Sequence, residues 1–336
     1  MKRGADLLGI VEATYRTDLD DPAWLANVSA EADKVIGRGL GTGGWFIDAS
    51  NLAAVRMWGF ESSHLRCPLD LSAATEVATP ADFQAYFTKQ AVGTGSGQLG
   101  VEAWTKSGPR SLYKAAGAAD TLGIVAIDTN LTGCVLTVPL HQITQLPRWE
   151  VSTLLRVAAH VSAGLRVRAS LAGRRLEEGA EAILRPDGKI EHAEDLAKTP
   201  RGRETLRRFA IGIDRARSKL RREDPDRALE VWTALTSGRW TLLDHFDTDG
   251  RRMLVARRND PQVPQPLALT ERERQVIAFC ARGHSNKLIA YELGLSPSAV
   301  SLHLATAMGK LGVRSRAELV GLLAHAARAS ADDSST

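Results

Sequence analysis

The chain has few cysteines, few aromatic residues and no long apolar run. Cys67, Cys134 and Cys280 are the three cysteines in 336 residues, and no CxxC pair occurs. That excludes a disulfide-built scaffold and a cysteine-rich zinc module, and it points to a reducing compartment. No stretch reaches the roughly 20 apolar residues of a membrane span. The opening MKRGADLLGIVEATYRTD turns acidic after its first basic residues and lacks a sustained apolar core, so it does not read as a signal peptide. The expectation is a cytoplasmic protein with no membrane partner. A phosphate-cradling GxxxxGK[ST] is also missing, which excludes the P-loop ATPases.

What is present is ordinary for a soluble globular chain: 44% hydrophobic and 24% charged residues. The length suits two or three domains. The net charge of +4 is unevenly spread. Residues 1–165 carry 13 basic and 16 acidic side chains, residues 166–260 carry 22 and 17, and residues 267–325 carry 7 and 4. A basic back half fits a polyanionic partner; it also fits arginine-rich helices with solvated faces.

Periodicity and turn residues divide the chain. In residues 1–170, Asp20-Asp21-Pro22 opens a helix over 22–36, and Thr79-Pro80 opens another over 80–91. Short apolar runs lie at 44–47 and 52–58. Leu122–Ile127 and Cys134–Val138 read as paired strands around a turn. A long helix is expected over 147–168, with Val151, Leu154, Leu155, Ala158, Val161 and Leu165 in one apolar stripe. This order predicts an α+β region, an antiparallel sheet with helices, of sensory or dimerising type. Residues 180–260 read as a smaller α+β unit. It has a hairpin around Arg185-Pro186-Asp187-Gly188, helices over 203–222 and 225–236, and a second hairpin around Asp247–Arg251. Three prolines in 261–266 mark a linker. Residues 267–328 form the last domain, before a small, polar tail.

In that last domain the helix ends are marked. Thr270-Glu271-Arg272-Glu273 is a capping box, Gly283 stops its helix, and Ser285 opens a second helix that stops at Gly294. Ser296 caps a third helix with Pro297 at its first position, and Ser315-Arg316-Ala317-Glu318 opens a fourth. Only Gly294-Leu295-Ser296 joins the second helix to the third, the spacing of a helix-turn-helix. On the third helix, Val300, Leu304, Ala307 and Leu311 form an apolar stripe expected to pack on Ile277, Cys280, Ile289 and Leu293. Ser298, Ser301, Leu302 and Ala305 lie opposite, and this mostly small face can approach a major groove about 12 Å wide. Lys287, Lys310, Arg314 and Arg316 surround it as candidate phosphate contacts. The same pattern also fits a four-helix cap with ordinary surface charges.

Residues 269–323 read LTERERQVIAFCARGHSNKLIAYELGLSPSAVSLHLATAMGKLGVRSRAELVGLL. The opening LTERER, the SNKLIA second helix, the SAVSLHL third helix and the KLGVRSRAEL exit resemble the LuxR-type helix-turn-helix domain, over about one sixth of the chain. The resemblance implies an all-α four-helix domain in a transcription regulator that binds double-stranded DNA as a homodimer. It places Ser301, Leu302 and Ala305 at base-facing positions and His303 and Lys310 at backbone-facing ones. It gives the fourth helix the pairing role; the leucines Leu319, Leu322 and Leu323 there and, separately, the apolar stripe Val151–Leu165 are the candidate seams. The chain departs from the family where Ala299-Val300-Ser301 replaces the usual Thr-Val-Lys. Leu302 and Ala305 can touch thymine methyls but cannot hydrogen-bond bases. A member deficient in DNA binding that works through protein contacts is therefore the alternative.

The front regions resemble GAF or PAS-like sensory domains more loosely, by element order, and imply a small-molecule or protein effector. No receiver-type βα repeat is found there. Gly39–Gly44 and Gly95–Gly100 both satisfy GxGxxG, but both are expected as loops rather than strand-to-helix turns, so neither reads as a dinucleotide site. His64, Cys67, His141 and His160 lack metal-ligand spacing. No catalytic constellation, cofactor or metal is expected, and the protein is not read as an enzyme.

Overall fold

A computed structural model describes residues 1–49, 55–65, 91–115, 117–128, 132–171, 173–236, 239–259, 261, 269–311 and 313–320. The helix expected over 80–91, most of the 261–266 linker and the tail lie outside the described residues. One short element unmarked in the sequence comes early: helix α1, Leu8–Thr14, precedes the expected helix α2, Asp21–Ile36. Asp20 caps α2 by accepting the Ala23 amide at 2.9 Å, with proline in the first turn. Strands β1, Thr42–Asp48, and β2, Arg56–Ser63, follow, then β3, Val92–Thr94. Helices α3, Gly95–Leu99, α4, Val101–Lys106, and α5, Gly108–Ala115, lead to β4, Asp120–Ile127, and β5, Thr132–Leu140. These strands form one antiparallel sheet in the order β2-β1-β5-β4-β3.

The segment Gly95–Gly100 departs from its expected loop. It follows β3 and winds into α3, because Asp120 reaches it from β4. The Asp120 carboxylate accepts the Ser96 amide at 3.0 Å and the Ser96 hydroxyl, while Thr94 Oγ1 accepts the Gly97 amide. A carboxylate 24 residues away thus joins the local Thr94 cap in holding the first turn. The strands β3 and β4 are antiparallel, so this is no crossover unit.

Helix α6, Arg148–Leu171, is the spine of the molecule. Leu154, Val157, Ala158 and Val161 pack into the main core, and Val167 and Leu171 meet Leu243 of the second sheet. At Gly164 the end of α1 comes so close that an added Cβ would lie 2.4 Å from the Thr14 carbonyl oxygen. The second sheet contains β6, Ala180–Leu184, β7, Ile190–Ala193, β8, Trp240–Phe246, and β9, Arg252–Arg258, all antiparallel in the order β7-β6-β9-β8. Both expected hairpins are present. Between them run α7, Pro200–Arg217, α8, Lys219–Glu223, and α9, Pro225–Val231. Thr199 and Asp224 cap α7 and α9, each with a proline following. One continuous set of buried side chains runs from Leu7 through both sheets to Ala256. The apolar stripe of α6 is buried or half-buried inside this chain, so it is not a free seam for a second copy.

The C-terminal helices are α10, Glu271–Ala281, α11, Asn286–Leu293, and α12, Pro297–Leu311, with a further helical stretch over 316–320. They enclose a separate core of Val276, Ile277, Phe279, Cys280, Ile289, Leu293, Val300, Leu304 and Ala307. The stripe expected on the third helix is the buried one. Leu235, from the segment after α9, joins this core. No helix among the described residues is long and apolar enough to cross a membrane.

Candidate nucleic-acid interface

The four helices are set by their ends. Thr270 Oγ1 accepts the Glu273 amide at 3.3 Å, and Glu273 Oε2 accepts the Thr270 amide at 2.7 Å, closing the capping box. Ser285 accepts the Leu288 amide, and Gly294 closes α11 with φ of +61°. Ser296 accepts the Ala299 amide to start α12. The last box is half-formed: Ser315 accepts the Glu318 amide, but Glu318 Oε2 accepts the Arg314 amide rather than that of Ser315.

This turn geometry directs α12 outward. Val300 and Ala307 are fully buried against α10 and α11, whereas Leu302 is 67% exposed, and Ser298, Ser301 and Ala305 are exposed beside it. His303 is half-buried at the edge of that face. The packed side of α12 therefore leaves Leu302 in water with small residues around it.

The candidate cations divide. Lys287 and Arg314 are exposed, and their side chains form no ion pair among the described residues. Lys310 instead lies 2.8 and 3.0 Å from the two Glu273 oxygens. That ammonium, together with the Thr270 amide, holds the Glu273 carboxyl below its ordinary range. Arg316 donates to Asn286 Oδ1 at 3.1 Å and to the His284 carbonyl. Asn286 in turn donates to Ser301 Oγ at 3.1 Å, and Ser301 donates to the Pro297 carbonyl. Lys310 and Arg316 are therefore committed to bracing the helices, because their carboxylate, amide and carbonyl partners lie within the same small domain. Asn286, the bridge between α11 and α12, was not singled out from sequence; its place just after the Ser285 cap was the available signal.

Leu319 is fully buried in the core of the same helices, so this member of the expected pairing seam is occupied within the chain. Leu322 and Leu323 lie outside the described residues.

The opposite side of the helix-turn-helix meets the rest of the protein. Tyr291 on α11 accepts from His160 Nε2 at 2.9 Å and donates to the Leu229 carbonyl at 2.8 Å. His160, fully buried on α6, accepts the Tyr15 hydroxyl through Nδ1 at 2.9 Å. This assignment follows from matching every donor to an acceptor along the chain. Burial pushes the His160 pKa down to about 3 and raises those of both tyrosines, so the relay is neutral. The Arg156 guanidinium lies 5.4 Å from the centre of the Tyr291 ring. Sequence reading missed this contact, since it joins residues 131 positions apart. Among the described residues no group of three or more His, Cys, Asp or Glu side chains is placed to hold a metal.

A comparison with protein families falls on the same segment. The family profile described as "Bacterial regulatory proteins, luxR family" matches residues 267–323. The transcriptional regulatory protein UhpA of Escherichia coli K12 is 33% identical over 176 residues, covering 49% of this chain and 83% of UhpA. The transcriptional regulatory protein FixJ of Azorhizobium caulinodans is 45% identical over 65 residues, 19% of this chain and 31% of FixJ. The HTH-type transcriptional regulator MalT of Vibrio cholerae is 34% identical over 76 residues, 23% of this chain and 8% of MalT. With the profile lying on the caps, turn and buried stripe described above, and UhpA matched over most of its length, the chain belongs to the luxR family of bacterial regulatory proteins.

Proposed function

We propose that the protein is a cytoplasmic transcription regulator that binds duplex DNA by inserting α12 into the major groove. The observation that carries this reading is the exposure of Ser298, Ser301, Leu302 and Ala305 on a helix whose other side is fully packed. Lys287 and Arg314 are the cations placed to meet phosphates; His303 is the edge contact. Residues 1–170 act as a GAF/PAS-like sensory or dimerising part, 180–260 as a smaller PAS-like one, and 261–266 as the linker to the helix-turn-helix of 267–328. Two chains pair on DNA, with Leu322 and Leu323 as the seam to test because Leu319 is occupied. The antiparallel sheets and the docking of α6 on α11 support control of the helix-turn-helix by the front part.

A second reading draws on a different observation. Ser301, Lys310 and Arg316 are all engaged within the chain, which favours a member with weak DNA binding that acts through protein contacts. Binding of the intact protein to a randomised duplex pool at two salt concentrations separates the two. Binding that weakens steeply with salt supports the regulator; absence of binding to any duplex favours the interaction module.

A further inference from the structure

The arginine-rich helix α7 has no part in the reading above, yet it borders the helix-turn-helix. A cleft of about 540 Å³ has Arg156, Arg208 and Arg227 on one wall and Ser285, Lys287 and Ser296 on the other. The second wall runs along α11, through Tyr291 and the turn at Gly294, to the first residues of α12, the helix whose exposed face is read above as the DNA face. Arg208 and Arg227 also line the adjoining groove, about 710 Å³, together with Arg207 and Arg215. The cations therefore form one path leading away from the helix-turn-helix.

Their pairing state matters, because an arginine already held by a carboxylate releases little counterion. Arg227 is paired with Glu230 at 3.0 Å, and Arg207 lies 4.0 Å from Glu204. Arg208 and Arg215 are exposed and form no ion pair among the described residues. They lie seven residues apart, two helical turns, on one side of α7. The helix is 18 residues long, so it spans ~27 Å at 1.5 Å per residue, comparable to ~8 base pairs of duplex. Glu204 and Glu230 are the acidic residues lining the groove, fewer than its four arginines.

We propose that the α7 face, with Arg208 and Arg215 as its free cations, holds the phosphate backbone of duplex DNA flanking the site read by α12. This rests on the DNA-binding reading above. The bound surface would then run from the recognition helix through the cleft onto the front part of the protein. Such contacts carry no sequence information; they add affinity and fix the register of the protein on the duplex.

The test compares the intact protein with the Arg208→Gln/Arg215→Gln variant, both sites being exposed and unpaired. Binding is measured against salt on random-sequence duplexes of about 40 and about 14 base pairs, lengths several turns and little more than one turn long. On the long duplex the slope of log K against log salt should fall by about 1.8, since each phosphate contact contributes ~0.9. Between 50 and 200 mM salt the variant should lose ~12-fold less affinity than the wild type. On the short duplex the two slopes should coincide. Equal slopes on the long duplex, with wild-type binding intact, overturn the proposal and leave the regulator reading standing. A wild type that binds neither duplex removes both. Loss of binding to phosphatidylglycerol vesicles with an unchanged duplex slope assigns the arginines to a lipid surface and also overturns it.

Discussion

His160 offers a sharp test of how the helix-turn-helix is held. The imidazole is fully buried between Tyr15 and Tyr291, and its pKa is about 3 against an ordinary 6.5. The folded protein therefore binds fewer protons here than the unfolded chain between pH 3 and 6.5. Stability from this group is at its full value above pH 6.5 and falls as pH drops below it. Each unit is worth ~1.36 kcal/mol, so going from pH 7 to pH 5 removes ~2 kcal/mol. Carboxylates titrate over the same window, so the informative quantity is the difference from His160→Gln, which keeps polar atoms and cannot titrate. Urea unfolding is followed by tryptophan fluorescence at both pH values; Trp232 lies 6.2 Å from the His160 ring, between ring centres. The wild type should lose ~2 kcal/mol more than the variant across that interval. Equal losses would refute the neutral, buried relay, because an imidazole already protonated or solvated at pH 7 gives no such difference.

Other expectations follow from single contacts. Leu302→Ala should change which sequences are preferred in a randomised duplex pool while affinity is largely kept, since an exposed aliphatic chain reads only methyl groups or groove shape; an unchanged preference would remove α12 as the reader. Lys310→Ala should leave the salt slope of duplex binding unchanged and lower the melting temperature, because its ammonium is held by Glu273. A slope reduced by about one would mean that Lys310 leaves Glu273 for a phosphate. Gly164→Ala should destabilise by about 1–3 kcal/mol in chemical denaturation. Alanine is the better helix former by up to ~1 kcal/mol, but its Cβ would stand 2.4 Å from the Thr14 carbonyl oxygen, so the clash decides the sign. A stabilised variant would show that α1 does not pack there.

The elements legible in the sequence were those whose determinants are local. Asp20 and Pro22 start α2, and Thr270 with Glu273 starts α10. Gly294 ends α11, and alternating apolar runs mark β4 and β5; each acts within a few residues. The same locality made the family recognisable, since caps, turn and buried stripe all lie within 57 residues. What the tertiary structure decided involves partners far apart in the chain. Asp120 joins the Thr94 cap in holding the first turn of α3, and Gly164 admits α1. The apolar stripe of α6 packs on its own sheets, where periodicity alone left open a second copy as partner. Two of the four cations expected at the DNA face have partners inside the domain for the same reason. Spacing put Lys310 and Arg316 beside α12, but only the folded domain brings Glu273, Asn286 and the His284 carbonyl within hydrogen-bonding distance. A sequence lists donors and acceptors; which of them meet is set by where packing places the helices.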